Sequence, residues 1–450
     1  MTPGVAHVPW SDQFDWNWHV GARYIRQLLL TATPAAALWA LRSRGLKPVS
    51  DARFAEILTD GIISKFVVPL EPIDEALFAP QLAASSWPAW CKSDFRPMEL
   101  IGNPIEGETT PTVVLWQDTG DHRFVAHAIA VGAEVFTPGD GARWEAAKYF
   151  ALQGAGVLTT ILMHPLLHFP SDTVNAITRT RLHETHLLRR LLRPHLRLSL
   201  EVNEVVLHGT ATVLRPGFLY SPYPGKLPEH RRVVSVLWQG YPAGAPSAAY
   251  PAYRFPMSKP VVRSGYGEFL GRYWDVIYDF VTQVVTQIDT DDSDVRWWAH
   301  HISRWLPDFP DETQIFVGDN LARAVTSVIH TVSVAHTADH WIYHYDVDPR
   351  EVPFRLRMAV PGSSSDYPAP DPARLVTRWD NLNYRMCSDL FFKPFTVAGL
   401  ASVDYGFEPT ALQQLNVDFR AALAGVERTM KQEGRKIYIA LDDIATSVQF

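Results

Sequence analysis

Val157–Phe169 reads VLTTILMHPLLHF, and Thr326–His340 reads TSVIHTVSVAHTADH. Both stretches are apolar at helical spacing, and each carries two histidines four residues apart, His164/His168 and His336/His340. Residues four apart share one face of a helix, so each pair presents two imidazoles to a common point. Two such helices crossing in a core would supply four nitrogen ligands to one ion. A hard oxygen ligand would complete an octahedral, redox-active Fe or Mn site with a position for water or hydroxide. With 17 His in 450 residues, about 0.6 pairs at this spacing arise by chance, whereas the chain has three once His340/His344 is counted. A single histidine on an apolar helix is ordinarily a satisfied core residue. Two on one buried face are harder to satisfy, because an unpaired buried polar group costs a few kcal/mol. Spacing alone leaves a metal-free helical binding protein open as an alternative. Pro165 lacks an N–H and predicts a kink beside the first pair.

Outward from these two stretches the chain is mostly helical. Helical patterning covers Arg23 to about Ser64, broken at Pro34 and at the Gly45–Pro48 turn, and resumes from Trp144 to about Leu214. Residues 65–140 are rich in Pro and Gly and hold two strand-like runs, Thr112–Trp116 and Val125–Val131. Pro216–Pro260 reads as a long irregular connection that covers a site. Helices follow at Gly267–Gln287, Asp294–Leu306, Asp319 to about Tyr345, and Pro409–Glu433. The predicted fold is mainly α, one domain over 1–450, with a small β element.

Composition narrows the function classes. At 47% hydrophobic and 12% aromatic, with 15 Trp, the chain suits a dense globular enzyme. A net charge of -7 argues against nucleic acid or an anionic membrane surface as the main partner. Cys91 and Cys387 are the only cysteines, so a metal here needs N and O ligands. No signal peptide is visible, and no stretch reaches about 20 consecutive apolar residues, so neither a membrane span nor stable insertion is expected and a cytoplasmic location is the default. His183, His186 and His195 sit among six arginines between Arg179 and Arg197, which reads as a solvated helix face; support for the site or an anchor for a substrate carboxylate is the functional alternative. Asp339, between the second histidine pair, is a candidate hydrogen-bond partner for an imidazole. Asp346 and Asp348 read as turn residues, and Trp297 and Trp298 as core.

Further motifs carry a resemblance. VFTPGDGARWEAAKYF (Val135–Phe150), then MHPLLHF, then LHETHLLRRLLRPHLRLSLEVN (Leu182–Asn203) resemble the lipoxygenase core, with its "FTP-D–W–AK" segment, its iron-binding His pair and its "H–LL–PH–T–IN" run. The register agrees, with His164 16 residues after Lys148 and His186 18 after His168. FRPMELIGNP (Phe95–Pro104), PAYRFP (Pro251–Pro256), RYWDVIYDFV (Arg272–Val281) and RWWAHHI (Arg296–Ile302) match in order. TSVIHTVSVAHTADH resembles the segment with the third and fourth ligands, and IATSVQF the family's closing "I–NS–SI". The likeness spans about residues 95–450, with 1–94 as an N-terminal helical and irregular part.

The resemblance implies a lipoxygenase-like catalytic domain, in a minimal bacterial-type form without the N-terminal β-sandwich lipid-binding domain. It implies His164, His168, His336, His340 and the Phe450 carboxylate as ligands of one Fe, or of Mn, since the H-x3-H spacing of the first pair resembles the manganese-containing fungal branch. It implies dioxygenation of a polyunsaturated fatty acid with a 1,4-diene: a metal(III)–hydroxide takes a hydrogen atom, O2 adds to the radical, and a lipid hydroperoxide results. A same-fold oxygenase or oxidase acting on a natural product is the competing enzyme reading. No amino-acid general base is required.

Overall fold

The computed structural model describes residues 8–449 apart from 32, 36–37, 39–41, 43–44, 121, 209–220, 242–248, 393–394 and 409. Five antiparallel strands lie near the N-terminus: β1 (Val67–Pro69), β2 (Trp90–Asp94), β3 (Thr112–Gly120), β4 (Arg123–Val131) and β5 (Glu134–Phe136). They pair in chain order. Alternation along β3 decides what each face covers. Val114 and Trp116 turn into the main core, whereas Val113 and Leu115 join a small cluster with Phe78, Ala128 and Ala130. The predicted strand runs fall in β3 and β4. β1, β2 and β5 escaped the sequence reading because they are short and, in β2, carry Lys92 and Asp94 inward as a buried ion pair 3.0 Å apart.

The remainder is helical, and two helices form its centre. The first is a continuous 40-residue stretch, Ala142–Arg181, long and apolar enough by composition to cross a membrane, with 72% of its most apolar window buried inside the protein. Its sequence explains that position. A helix apolar on every side is buried on every side, and its glycines admit close neighbours. A Cβ on Gly154 would lie 2.7 Å from the Phe95 side chain, and one on Gly156 2.6 Å from Val352. The second spans residues 320–346. Gly265–Val285 packs against it, with His330 Nε2 3.0 Å from the carbonyl oxygen of Leu270. Trp298 Nε1 donates to Thr178 Oγ1 at 2.9 Å, tying Ser293–Ser303 to the first helix. Thr410–Gln432 closes the outside through Phe419, stacked on Phe280 at 4.2 Å.

Three expectations change. A helix runs Leu227–Gln239 inside the segment read as irregular, because Pro228 takes the first turn and Glu229 closes a capping box there. The N-terminal helices begin at Trp10 rather than Arg23. Trp298 is core, but Trp297 is 57% exposed. Among the described residues the only sheet is the five-stranded one, and no β-sandwich is present.

Candidate metal centre

Each histidine helix changes pitch just before its first histidine. The α-helix Ala142–Leu158 gives way to a π turn, Thr159–Met163, and resumes at Pro165. Asn320–His330 gives way to Thr331–Ala335, followed by His336–His340. A π turn inserts one residue and rotates everything after it by about 100° relative to an uninterrupted α-helix. The kink anticipated at Pro165 is this device. The His164 N–H bonds back five residues to Thr159 O at 2.8 Å, and Pro165 follows with no N–H to satisfy.

The rotation brings four imidazoles to one point. The ligand-capable atoms of His164, His168, His336 and His340 all lie within 4.8 Å of one another. His168 Nε2 is 2.7 Å from His164 Nε2 and 3.0 Å from His336 Nε2. The His340 ring centre lies 4.5 Å from that of His164 and 4.6 Å from that of His336. His344 is exposed one turn further on, edge-on to Trp341, outside the group.

Burial keeps three of the four imidazoles, those of His164, His168 and His336, neutral. Desolvation, and then Lys65, lower the His164 imidazole to about 3. Desolvation, and then the neighbouring imidazoles, hold His336 well below the ordinary range; His168 is depressed chiefly by desolvation and then by His164. Neutral imidazole is the metal-binding form. The His168 tautomer is set from outside the cluster. Asn203 Nδ2 donates to Asp172 Oδ1 at 2.6 Å and to His168 O at 3.3 Å, so its Oδ1 is the atom 2.9 Å from His168 Nδ1. His168 Nδ1–H therefore donates outward, and the Nε2 lone pair points into the cluster. Asp339 Oδ2 lies 3.6 Å from His164 Nδ1, beyond hydrogen-bond length, so it places a carboxylate near that ring without fixing its tautomer. Asp339 is itself held by Lys65, whose Nζ donates to both carboxylate oxygens at 2.7 Å. Four imidazoles converging on one point, one of them with its lone pair aimed inward by Asn203, are the donor set a borderline divalent ion takes. The residues fit a non-haem metal.

Phe450, the fifth expected ligand, lies outside the described residues. The chain before it threads through the interior. Val448 and Gln449 are buried, and Val448 packs with Val202 and Val332, residues of the helices that carry Asn203 and His336. His195 holds this segment, with Nδ1 2.7 Å from Thr446 O and Nε2 2.9 Å from Tyr405 Oη. This corrects the reading of His195 as part of a solvated face, since it is fully buried. His186 pairs with Asp292 at 3.1 Å, and His183 is exposed. Asp346 accepts from the Ile62 N–H and from Lys436, and Asp348 from Arg350, all away from the histidines.

Alongside the two histidine helices lies a mainly apolar cavity of about 410 Å³, lined by neighbours of the histidines and by none of the four themselves. Met163 and Leu167, the immediate neighbours of His164 and His168, form one wall, and Thr331 and Val332 another. Tyr253 and Arg254, from the Pro251–Pro256 run, close a third.

Solved lipoxygenases share this arrangement of helices. The chain superimposes on a fungal lipoxygenase from Fusarium graminearum with a TM-score of 0.67 at 16% identity, over 89% of this chain and 80% of that one. On a coral 8R-lipoxygenase the TM-score is 0.73 at 13% identity, over 92% and 68%. The fold is that of the lipoxygenases. A LOX deletion variant solved in complex with arachidonate matches over 98% of this chain and 74% of its own, with a TM-score of 0.67 at 15% identity. No family model and no curated protein matches the chain by sequence. The lipoxygenase fold is thus carried here by a sequence that keeps little beyond spacing, patterning and the buried histidines.

Sequence reasoning did not single out Lys65 or Asn203. Asn203 stood in the quoted run without a role, and Lys65 stood in no motif. Each acts on a histidine more than 30 positions away, a pairing that only the helix crossings reveal.

Proposed function

We propose that this chain is a non-haem metal dioxygenase of lipoxygenase type, acting as a single catalytic domain on a polyunsaturated fatty acid with a 1,4-diene. The observation that carries the reading is the four-imidazole cluster on two helices that also form part of the wall of an apolar cavity. His164, His168, His336 and His340 would hold the ion. The terminal carboxylate of Phe450 is proposed as the fifth ligand, supported by the burial of Val448 and Gln449 just before it. Bound iron, or manganese, supplies one-electron redox chemistry and a basic oxygen for hydrogen-atom abstraction.

The protein's own residues do the rest. Met163, Leu167 and Val332 line an apolar slot that keeps water from a carbon-centred radical and holds an acyl chain along the histidine helices. Asn203 fixes the His168 tautomer, so that its Nε2 lone pair is free for the ion. Arg254 lines the cavity with its side chain 64% exposed, where the cavity meets solvent. It is the residue proposed to meet a fatty-acid carboxylate. The test is oxygen uptake and conjugated-diene formation by metal-loaded protein with linoleate. Stoichiometric uptake with a hydroperoxide product supports the reading. Full metal occupancy without linoleate oxidation moves the substrate to another apolar molecule.

A further inference from the structure

The helices at the N-terminus bury Val20 and pack Trp16 and Tyr24 inward, yet they also carry large apolar side chains on the outside. From Trp10 to Thr31 the chain is helical through Trp10–Trp16, a π turn at Asn17–Gly21, and Ala22–Thr31. Its charged face is turned inward. Asp12 Oδ1 accepts from Arg179 at 2.9 Å, and both oxygens of Asp15 accept from Arg197 at 2.7 Å. These pairs leave the aromatic face outside. Trp10 is 75% exposed, Phe14 56% and Trp18 69%, stacked in a ladder with ring centres 5.8 and 6.3 Å apart. Ile25, Leu29 and Leu38 continue the exposed apolar surface.

Charge says what this face meets. Trp10–Ser50 has two acids, Asp12 and Asp15, both paired with arginines of the body, and five Lys or Arg, of which Arg23 is buried and Lys47 is paired with Asp348, in a chain whose net charge is -7. Arg26 and Arg42 are exposed within that stretch. Trp and Phe with flanking arginine is the composition that settles at a lipid–water interface. A second copy of the chain fits less well, because an isologous contact would bring the same arginines of both copies together. Trp16, on the inner side, packs against the cluster of Val202, Val332 and Val448, and Val332 is a wall of the apolar cavity. The exposed ladder and the cavity thus share one layer of side chains.

We infer that the Trp10–Phe14–Trp18 ladder docks this protein peripherally on an anionic bilayer, resting on the headgroup–acyl boundary without spanning it. Local charge here overrides the net charge, from which no anionic surface was expected. The docking is independent of metal and turnover, so its failure and that of the dioxygenase reading are separable.

The experiment is co-sedimentation of the full chain with vesicles of mixed phosphatidylcholine and phosphatidylglycerol. It compares wild type with Trp10→Ser/Phe14→Ser/Trp18→Ser, and separately with Arg26→Glu/Arg42→Glu. All five positions are exposed, and an unchanged melting temperature verifies folding. The ladder variant is expected to bind on the order of tenfold or more weakly. The charge variant is expected to lose the preference for phosphatidylglycerol over phosphatidylcholine alone. Wild type that does not sediment with vesicles, or a ladder variant that binds equally, overturns the inference. A wild-type dimer that the ladder variant disperses, without vesicle binding, assigns the face to a second copy and overturns it too.

Discussion

In both histidine helices a five-residue π turn ends one residue before the first histidine, Thr159–Met163 before His164 and Thr331–Ala335 before His336. Beyond that shared device the two helices are braced differently. The first is held at His168 by a neutral amide, Asn203, whose other end is fixed by Asp172. On the second, Asp339 is 2% exposed and paired with Lys65, and its carboxylate stands 3.6 Å from His164 Nδ1 on the first helix, near the ring without a hydrogen bond to it. A wide turn that aims two ring nitrogens inward is therefore reusable, whereas what surrounds each ring depends on what the neighbouring element offers. The neutral brace costs little to bury. The charged pair carries the risk of a stranded buried charge.

The comparison breaks most completely if the turns are not what aims the rings. Deleting Thr160 should turn Thr159–Met163 into α-helix and rotate His164 and His168 away by about 100°. Elemental analysis of a variant that folds should then show no bound metal, as it should for His336→Ala. Retention of metal by the deletion variant would remove the π turn from the account. Deleting Phe450, or extending the chain past it, should likewise strip metal while circular dichroism keeps the helical signal. Unchanged metal content would refute the proposed carboxylate ligand.

The neutral brace and the charged pair are separated by a smaller effect. Lys65→Met leaves Asp339 buried without its cation and should cost about 3–5 kcal/mol in urea unfolding. Asn203→Leu removes a neutral bond and should cost about 1–3 kcal/mol. Both should weaken metal binding by about 10–100-fold. Equal stability losses for the two would erase the distinction between charged pair and neutral brace.

Acid tests burial away from the site. His195 and His330 are each lowered to about 4, first by desolvation, from an unfolded value of 6.5. Both are neutral in the fold and take up a proton on unfolding. Their contribution is whole above pH 6.5 and is lost as pH falls toward 4, at about 1.4 kcal/mol per pH unit each. His195→Gln should flatten the stability–pH curve by about that slope in this window, and an unaltered slope would contradict it. The smallest effect expected is at Arg254. Arg254→Ala should raise KM for a fatty acid about fivefold, with kcat nearly unchanged, as befits an exposed ion pair.

How much of this was legible in the sequence differs by element. Ala142–Arg181 and residues 320–346 were visible because long apolar periodicity and paired histidines are local signals, and Thr112–Trp116 because β-branched runs are too. The fold class and the grouping of the histidines followed from these together with the ordered motif matches. The π turns were not legible, since nothing in TTILM or TVSVA differs from α-helical sequence. Lys65 was invisible because its partner lies 274 positions away. His195 was misplaced because its arginine neighbours mark a charged surface while its own side chain points inward. The inward charged face of the N-terminal helix was equally hidden, because period alone does not say which face a pair of distant arginines will claim.

The central claim is that four clustered imidazoles, with His168 held by Asn203, form one metal site. Its most direct test is the metal content of the full chain with a free C-terminus, produced with iron and manganese both supplied. The account predicts about one ion per chain, falling to background in His168→Leu and His336→Ala. Metal-free wild type, or variants that keep their metal, would contradict it.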